Sequence, residues 1–259
     1  FVFSPDSKLL AFVRFDETAM PSYQMQRYLE SPLKQDEMPL YPVFQSFKYP
    51  KPGQPNSKVS VCVYDDFYKS VRTINLGVDD AEFYIPRIKW TKEQDKLAVF
   101  VLNRNQNRLD MIYSHPKSLV SKLILRDEDK YYVDFENIDD VNFSDDGKFF
   151  TFVSERNGWR HAYLYNVNGT LQKQLTLGNF DVTKVYGYDD VKQTLYYQST
   201  ENSPLQRDVY SVDTKGKKTL LTDGKGTHSA VFSATYAYFS DNASSLNKPN
   251  ITYMRNSKG

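Results

Sequence analysis

The 259-residue sequence has a single cysteine, Cys62. One thiol closes no disulfide within the chain, and without clustered partners it builds no zinc site. Long apolar runs are missing too: nothing approaches the roughly 18 consecutive apolar residues that a membrane-spanning helix needs. Nor is there an excess of charge of one sign. With 33 basic against 32 acidic side chains, the formal net charge is +1. Such a balance offers no broad field for nucleic acid or an anionic membrane, and it leaves small molecules, peptides or proteins as partners. The chain begins at Phe1 without methionine or signal peptide and ends on Asn256-Ser257-Lys258-Gly259, so it reads as a piece excised from something larger.

What the sequence does have is aromatics: 20 Tyr and 17 Phe against 2 Trp. They stand in short alternating runs separated by Asp, Asn, Gly and Ser. Aromatic and β-branched residues suit pleated, half-buried surfaces, and the turn residues between them close hairpins. The fold class is therefore all-β. Helical spacing of apolar residues is confined to a stretch around Gln24 to Glu30. Runs such as Lys8 to Val13 and Lys96 to Val101 carry too many apolar residues for burial on one face, and they predict inner strands covered on both.

A repeat organises the chain. Phe3-Ser4-Pro5-Asp6-Ser7-Lys8-Leu9-Leu10-Ala11-Phe12-Val13 resembles the segment beginning Trp90-Thr91-Lys92-Glu93-Gln94-Asp95-Lys96-Leu97-Ala98. Both resemble Phe143-Ser144-Asp145-Asp146-Gly147-Lys148-Phe149-Phe150-Thr151-Phe152-Val153. Weaker copies start at Tyr188 and Phe232. Spacings of roughly 40 to 50 residues match a four-stranded propeller blade, and the longer first interval holds one blade plus an insertion, or two unequal blades. In each copy an aromatic ends one strand, a short polar turn reverses it, and an apolar strand returns. Asn157-Gly158 and Asn168-Gly169 supply the next turns after the third copy, as Lys215-Gly216 and Asp223-Gly224 do further on.

These signals divide the chain into a first blade hairpin (1–27), a proline-rich connection (28–57), further blades (58–140), one blade over 141–176, another over 177–222 and a partial blade over 223–259. The connection holds Pro32, Pro39, Pro42, Pro50, Pro52 and Pro55, too many for paired central strands. It is expected to lie as an insertion over the sheet edges, with Lys34, Asp36 and Glu37 on its solvated face. The expected whole is an open arc of about five four-stranded blades, with edges able to pair with a second copy.

Catalytic motifs are lacking. No Gly-x-Ser-x-Gly elbow presents a nucleophilic serine. His115, His161 and His228 are far apart and outside any metal-binding pattern, so each is read as structural or surface. Glycine-rich phosphate loops are absent, and Asp145-Asp146-Gly147 reads as a turn rather than a calcium loop. No cofactor or metal is expected. Arg14, Arg87, Arg104 and Arg160 could form a carboxylate-gripping cluster of the kind a sialidase needs, but their spacing gives no support. Asn142, Asn168, Asn242 and Asn250 head N-glycosylation sequons, which matter only in a eukaryotic secretory pathway.

Three stretches are more specific. Phe12 to Pro21, Tyr49 to Val59 and Ser154 to Tyr165 resemble the propeller domain of dipeptidyl peptidase IV, a branch of the prolyl oligopeptidase family of serine peptidases, and the resemblance runs in order along nearly the whole chain. It implies part of an eight-bladed propeller above an α/β-hydrolase domain, in an enzyme releasing Xaa-Pro or Xaa-Ala dipeptides from peptide N-termini. The family's paired glutamates would lie upstream of Phe1, and Asp16-Glu17 is not that pair. The Ser, Asp and His triad would lie beyond Gly259, so this segment alone is expected to be inert. The family's substrate-facing Phe-Arg pair falls near Phe135-Glu136, where the aromatic matches and the arginine does not; Phe135 is the one candidate substrate-binding residue. Homodimerisation through an arm from one blade is also implied. It places that arm at Cys62 to Phe83, with Val71, Ile74 and Leu76 at the interface, unless these form an ordinary outer hairpin. A location in a periplasm, at a cell surface or outside the cell follows from the same resemblance. A non-catalytic propeller scaffold is the competing reading.

Overall fold

The computed structural model describes residues 1–28, 41–80 and 82–257. The first blade comprises β1 (Val2–Phe3) and β2 (Leu9–Asp16), then β5 (Lys58–Asp65) and β6 (Ser70–Thr73). Between β2 and β5 the chain runs out through β3 (Ser22–Arg27) and back through β4 (Val43–Lys48), a separate two-stranded sheet. The second blade is β7 (Phe83–Trp90), β8 (Leu97–Asn103), β9 (Arg108–Ser114) and β10 (Ser121–Glu128). The third is β11 (Asn142–Phe143), β12 (Phe149–Ser154), β13 (His161–Asn166) and β14 (Leu171–Gln174). The fourth is β15 (Val182–Asp189), β16 (Thr194–Ser199), β17 (Asp208–Asp213) and β18 (Lys218–Leu220). A three-stranded sheet follows: β19 (Thr227–Phe232), β20 (Tyr238–Ser245) and β21 (Lys248–Asn256). Every sheet is antiparallel, so the chain is all-β, and its described residues form a partial propeller of four four-stranded blades and one three-stranded blade, with β3–β4 apart. The one helical segment among the described residues is a 3-10 helix, Phe135–Asp140.

The repeat copies mark equivalent places. Phe3, Trp90, Phe143 and Phe232 each end the first strand of a blade, and Tyr188 stands one residue before the end of another. The turn chemistry recurs in detail. Ser4 donates through Oγ to Asp6 (2.7 Å) and accepts there from the Leu9 amide (3.0 Å); Ser144 does the same with Asp146 (2.6 Å) and Phe149 (2.9 Å). Three residues after the serine the backbone turns left-handed, at Ser7, Gly147 and Tyr236. Only Gly147 meets that requirement without side-chain strain. Asp145-Asp146-Gly147 is thus a hairpin turn, with Asp145 paired to Lys92 (2.5 Å) and the Asp146 amide donating to Asp190 (2.8 Å).

Apolar strands are buried between blades. Along β8, Leu97, Val99 and Val101 face Leu9, Ala11, Val61 and Val63 of the first blade. Ala98, Phe100 and Leu102 face Phe150, Phe152 and Tyr163 of the third. Two-sided burial of this kind removes the polar alternation expected of a half-exposed strand, and each large side chain contributes about 1.5–3 kcal/mol of transfer free energy. β2 differs from the two-sided expectation, since Leu9 and Ala11 are buried while Leu10 and Phe12 are half-buried.

Several boundaries differ from those the sequence suggested. Gln24 to Arg27 is strand, not helix: Gln24 pairs with Ser46 and Met25 with Gln45, so cross-strand pairing overrides the weak local periodicity. The proline-rich connection contains a paired strand, β4, because Pro42 and Pro50 flank it rather than interrupt it. Pro32, Pro39, Lys34, Asp36 and Glu37 lie outside the described residues. The insertion, not a second unequal blade, accounts for the long first repeat interval. Cys62 to Phe83 is not an arm. Cys62 is fully buried on β5, paired to Phe12 and Thr73; Ile74 packs into the core against the second blade, and Leu76 packs on its margin. An ordinary outer hairpin is what this stretch makes, and of Val71, Ile74 and Leu76 only Val71 is strongly exposed. The pair that leaves the blade is β3–β4.

Candidate functional site

Antiparallel meanders put the links between second and third strands at the same end of the arc as the links between one blade and the next. That end therefore gathers β3–β4, the β8–β9 and β12–β13 turns, and the 3-10 helix between β10 and β11. Contacts near the return from β4 agree: Arg104 of the β8–β9 turn pairs with Glu82 (3.0 Å) and donates to the Gln54 carbonyl (3.0 Å).

Phe135 opens the 3-10 helix. Asp134 caps it by accepting from the Glu136 amide (2.9 Å), and Ile138, fully buried, pins it into the core between the second and third blades. Phe135 is half-buried and packs against the margin of that core.

Four cations from three blades hold the helix from below. Arg87 of β7 forks onto Asp139 (2.9 and 3.2 Å), and this hydrogen bonding draws the Asp139 carboxyl below the ordinary range. Lys89, two residues on and on the same face of β7, donates to the carbonyls of Ile138 (2.6 Å), Asp139 (3.2 Å) and Val141 (3.2 Å). Burial pulls its ammonium below the usual lysine value, against the attraction of Asp139 and Asp140. Arg160 of the β12–β13 turn donates to Asn137 Oδ1 (2.6 Å), to Asp140 Oδ2 (2.7 Å) and to the Val182 carbonyl. Lys184 of β15 takes Asp140 Oδ1 at 2.9 Å.

Beside the helix, Arg156 donates to Ser154 Oγ (3.0 Å), Asp127 (3.2 Å) and Tyr165 OH (2.8 Å), with its guanidinium over the Tyr163 ring. Burial raises the Asp127 carboxyl despite the hydrogen bond from Ser154 and the charge of Arg156. Tyr131, Tyr132 and Trp159 stand exposed around this edge. The arrangement has an aromatic face, a carboxylate-rich margin and no nucleophile paired with a base, so its chemistry is that of binding and positioning. Among the described residues no group of His, Cys, Asp or Glu is arranged to hold a metal ion.

The histidines are elsewhere engaged. His115 accepts from the Lys117 and Ser118 amides in a turn, and His228 is buried between Asp241 and Asp223. His161 is buried with Nδ1 at Thr176 Oγ1 and Nε2 at the Gly178 carbonyl, both 3.0 Å. That geometry makes Nε2 the proton-bearing nitrogen, and burial lowers the ring's basicity. The folded value therefore lies below the unfolded one, near 6.5. The unfolded chain takes up this proton first, so the contribution is intact above that value and declines as pH falls through it toward the folded value. The expected slope approaches about 1.4 kcal/mol per pH unit. Urea melts between pH 7 and 5 should show a shallower fall for His161→Gln than for the parent.

Of the residues singled out in the sequence, Arg87 and Arg160 do come together with the 3-10 helix, but each is matched to a carboxylate. Arg104 is committed to Glu82, and Arg14 lies exposed on β2. A carboxylate-gripping trio does not form. Lys89 and Lys184 were not singled out. The alternate placement of Arg87 and Lys89 on one strand face, with the paired Asp139-Asp140 downstream, is the pattern that carried the signal.

The comparisons agree with this architecture. A family model of the dipeptidyl peptidase IV (DPP IV) N-terminal region matches residues 1–250. The crystal structure of dipeptidyl peptidase 4 from Porphyromonas gingivalis superimposes with a TM-score of 0.90 at 45% identity, covering 99% of this chain and 35% of its own. A second solved structure, from Bacteroides ovatus, gives a TM-score of 0.83 at 22% identity over 99% of this chain and 38% of its own, a likeness of fold alone. Dipeptidyl peptidase 4 of Trichophyton rubrum is 31% identical over 262 aligned residues, 97% of this chain and 33% of that protein. The chain thus spans about a third of the length of the relatives it matches.

Proposed function

The chain belongs to the family of the dipeptidyl peptidase IV N-terminal region, and from that premise we propose that it is the propeller part of a serine exopeptidase releasing Xaa-Pro or Xaa-Ala dipeptides from peptide N-termini. The observation that carries the reading is the 45% identity to dipeptidyl peptidase 4 of Porphyromonas gingivalis over nearly the whole chain. In this reading a hydrolase domain of the same protein supplies a serine activated by histidine, and the propeller selects the substrate. Its ring limits access, and its end loops fix the peptide so that only a dipeptide extends past the nucleophile. Phe135, half-buried at the end of the arc where loops from four strand pairs meet, offers an aromatic wall for that peptide. Such an enzyme works on extracellular or periplasmic peptides, and the location proposed is a periplasm, a cell surface or the medium. No helix among the described residues is long and apolar enough to cross a membrane.

Association into a homodimer is part of the proposal, through the projecting β3–β4 pair. The two strands bury almost nothing of their own, leaving Met25, Val43 and Phe44 uncovered.

The decisive test is hydrolysis of a chromogenic Gly-Pro p-nitroanilide by the full-length protein, beside a form lacking residues 1–259. Activity with strict dipeptide release only in the intact protein is the expected outcome. No activity in the intact protein would favour a scaffold, and an unchanged cleavage pattern after deletion would remove the selecting role.

A further inference from the structure

Lys89 has an unusual task for a lysine on the first strand of a blade. Its three ammonium donors meet three carbonyl acceptors, Ile138 (2.6 Å), Asp139 (3.2 Å) and Val141 (3.2 Å), all at the C-terminal end of the 3-10 helix. That end carries the negative pole of the aligned peptide dipoles, so a cation there is favoured twice, by dipole and by hydrogen bonds. The neutral amine would keep two donors and turn a lone pair toward the third carbonyl, losing one contact and creating a repulsion. The helix is only six residues long, and it is too short and too tightly buried at Asn137 and Ile138 to absorb a shift at one end. Movement at the Lys89 end is therefore transmitted to Phe135.

We propose that Lys89 is a positioning residue for the peptide: it fixes where Phe135 stands by clamping the far end of the helix that carries it, an inference that rests on the reading of Phe135 as a wall of the peptide site. The charged groups around Lys89 are Arg87 on its own strand, Asp139 and Asp140 on the helix, Lys184 on β15 and Arg160, which shares Asp140. The carboxylates favour the ammonium, while burial and the neighbouring cations oppose it, and the net balance is a lowered affinity for the proton. Raising the pH therefore opens the clamp before ordinary surface lysines titrate.

The test uses the full-length protein and Gly-Pro p-nitroanilide. Lys89→Met is expected to raise KM about tenfold with kcat held within about twofold, because positioning of a binding wall acts on substrate capture. Lys89→Arg, which keeps the charge at alkaline pH, is expected to restore most of the affinity. The parent's KM should climb at alkaline pH, and that of Lys89→Arg should stay flat. Phe135→Ala should raise KM similarly, and the double variant should be no worse than Phe135→Ala alone. An unchanged KM in Lys89→Met, beside a raised KM in Phe135→Ala, would overturn the proposal and leave the peptide-wall reading standing. An unchanged KM in Phe135→Ala would overturn both. Should Lys89→Met fail to fold, the pH profiles of the parent and Lys89→Arg decide: parallel profiles overturn the clamp.

Discussion

Asp140→Ala is expected to cost about 3–5 kcal/mol of folding stability, the range found when one member of a buried ion pair is removed. Asp140 is 3% exposed, with one carboxylate oxygen on Arg160 (2.7 Å) and the other on Lys184 (2.9 Å). Alanine leaves two cations facing each other with no anion between them. Arg160 keeps Asn137 Oδ1 and the Val182 carbonyl, so its donors stay bound but its charge is uncompensated. Asp140→Asn retains the shape and one acceptor, and should lose less. Combining Asp140→Ala with Arg160→Met removes the stranded guanidinium and should recover part of the loss, since paired removal of buried charges is far cheaper than single removal. Urea unfolding of the full-length protein, read by the fluorescence of Trp159 beside Arg160, measures all three. A loss below about 1 kcal/mol for Asp140→Ala would mean that solvent reaches the pair and screens it.

The consequences of this pair extend past stability. Asp140 ends the helix that begins with Phe135, and its two cations come from the third and fourth blades. Lys89 and Arg87 tie the same helix to the second. Three blades thus share one short segment at the end of the arc. A rigid mount of this kind suits the peptide wall proposed for Phe135, because binding energy is lost whenever such a wall must itself be ordered.

The blades were legible in the sequence because their signals are local. Each copy of the Ser-x-Asp turn carries its own hydrogen bonds, from Ser4 to Asp6 or Ser144 to Asp146, and each is followed by a strand buried on contact with a neighbour. That turn at two places, with looser copies after Trp90, Tyr188 and Phe232, therefore gave the blade rhythm without reference to the rest of the chain. Cys62 to Phe83 reads as a projecting arm for the opposite reason. It alternates apolar residues as any outer hairpin does, and Ile74 is buried only by packing against Ile85, Ile88 and Leu97 of the second blade. Conversely, the helical spacing around Gln24 and the prolines of the 28–57 connection hid β3–β4, since a sheet that covers no core of its own needs no hydrophobic alternation. The mount around Phe135 was hidden for a related reason. Lys89, Arg160 and Lys184 are separated by 71 and 24 residues and are brought together only by blade-on-blade packing.

Charging the projecting hairpin is expected to turn a dimer into a monomer without weakening the blades. Met25 and Val43 lie on one face of β3–β4, where Met25 pairs with Gln45 and Arg27 with Val43, and both are exposed. Neither belongs to an inter-blade core; the base of the hairpin is instead held by Tyr23, Phe47 and Tyr49, whose rings meet at 5.9 to 6.1 Å. Met25→Asp with Val43→Asp would bury two carboxylates in any interface formed there. The expected effect is a rise in dimer Kd of about a hundredfold or more, from two central residues worth about 2 kcal/mol each, with the melting temperature almost unchanged. Sedimentation of the full-length protein reads the first quantity and a thermal melt the second. Val71→Asp is the matched comparison, an exposed residue on β6 in the stretch first expected to carry the interface. Dissociation by Val71→Asp and not by the hairpin variant would return the interface to the outer edge of the first blade; dissociation by neither would mean that association runs through surfaces of the full-length protein other than these two.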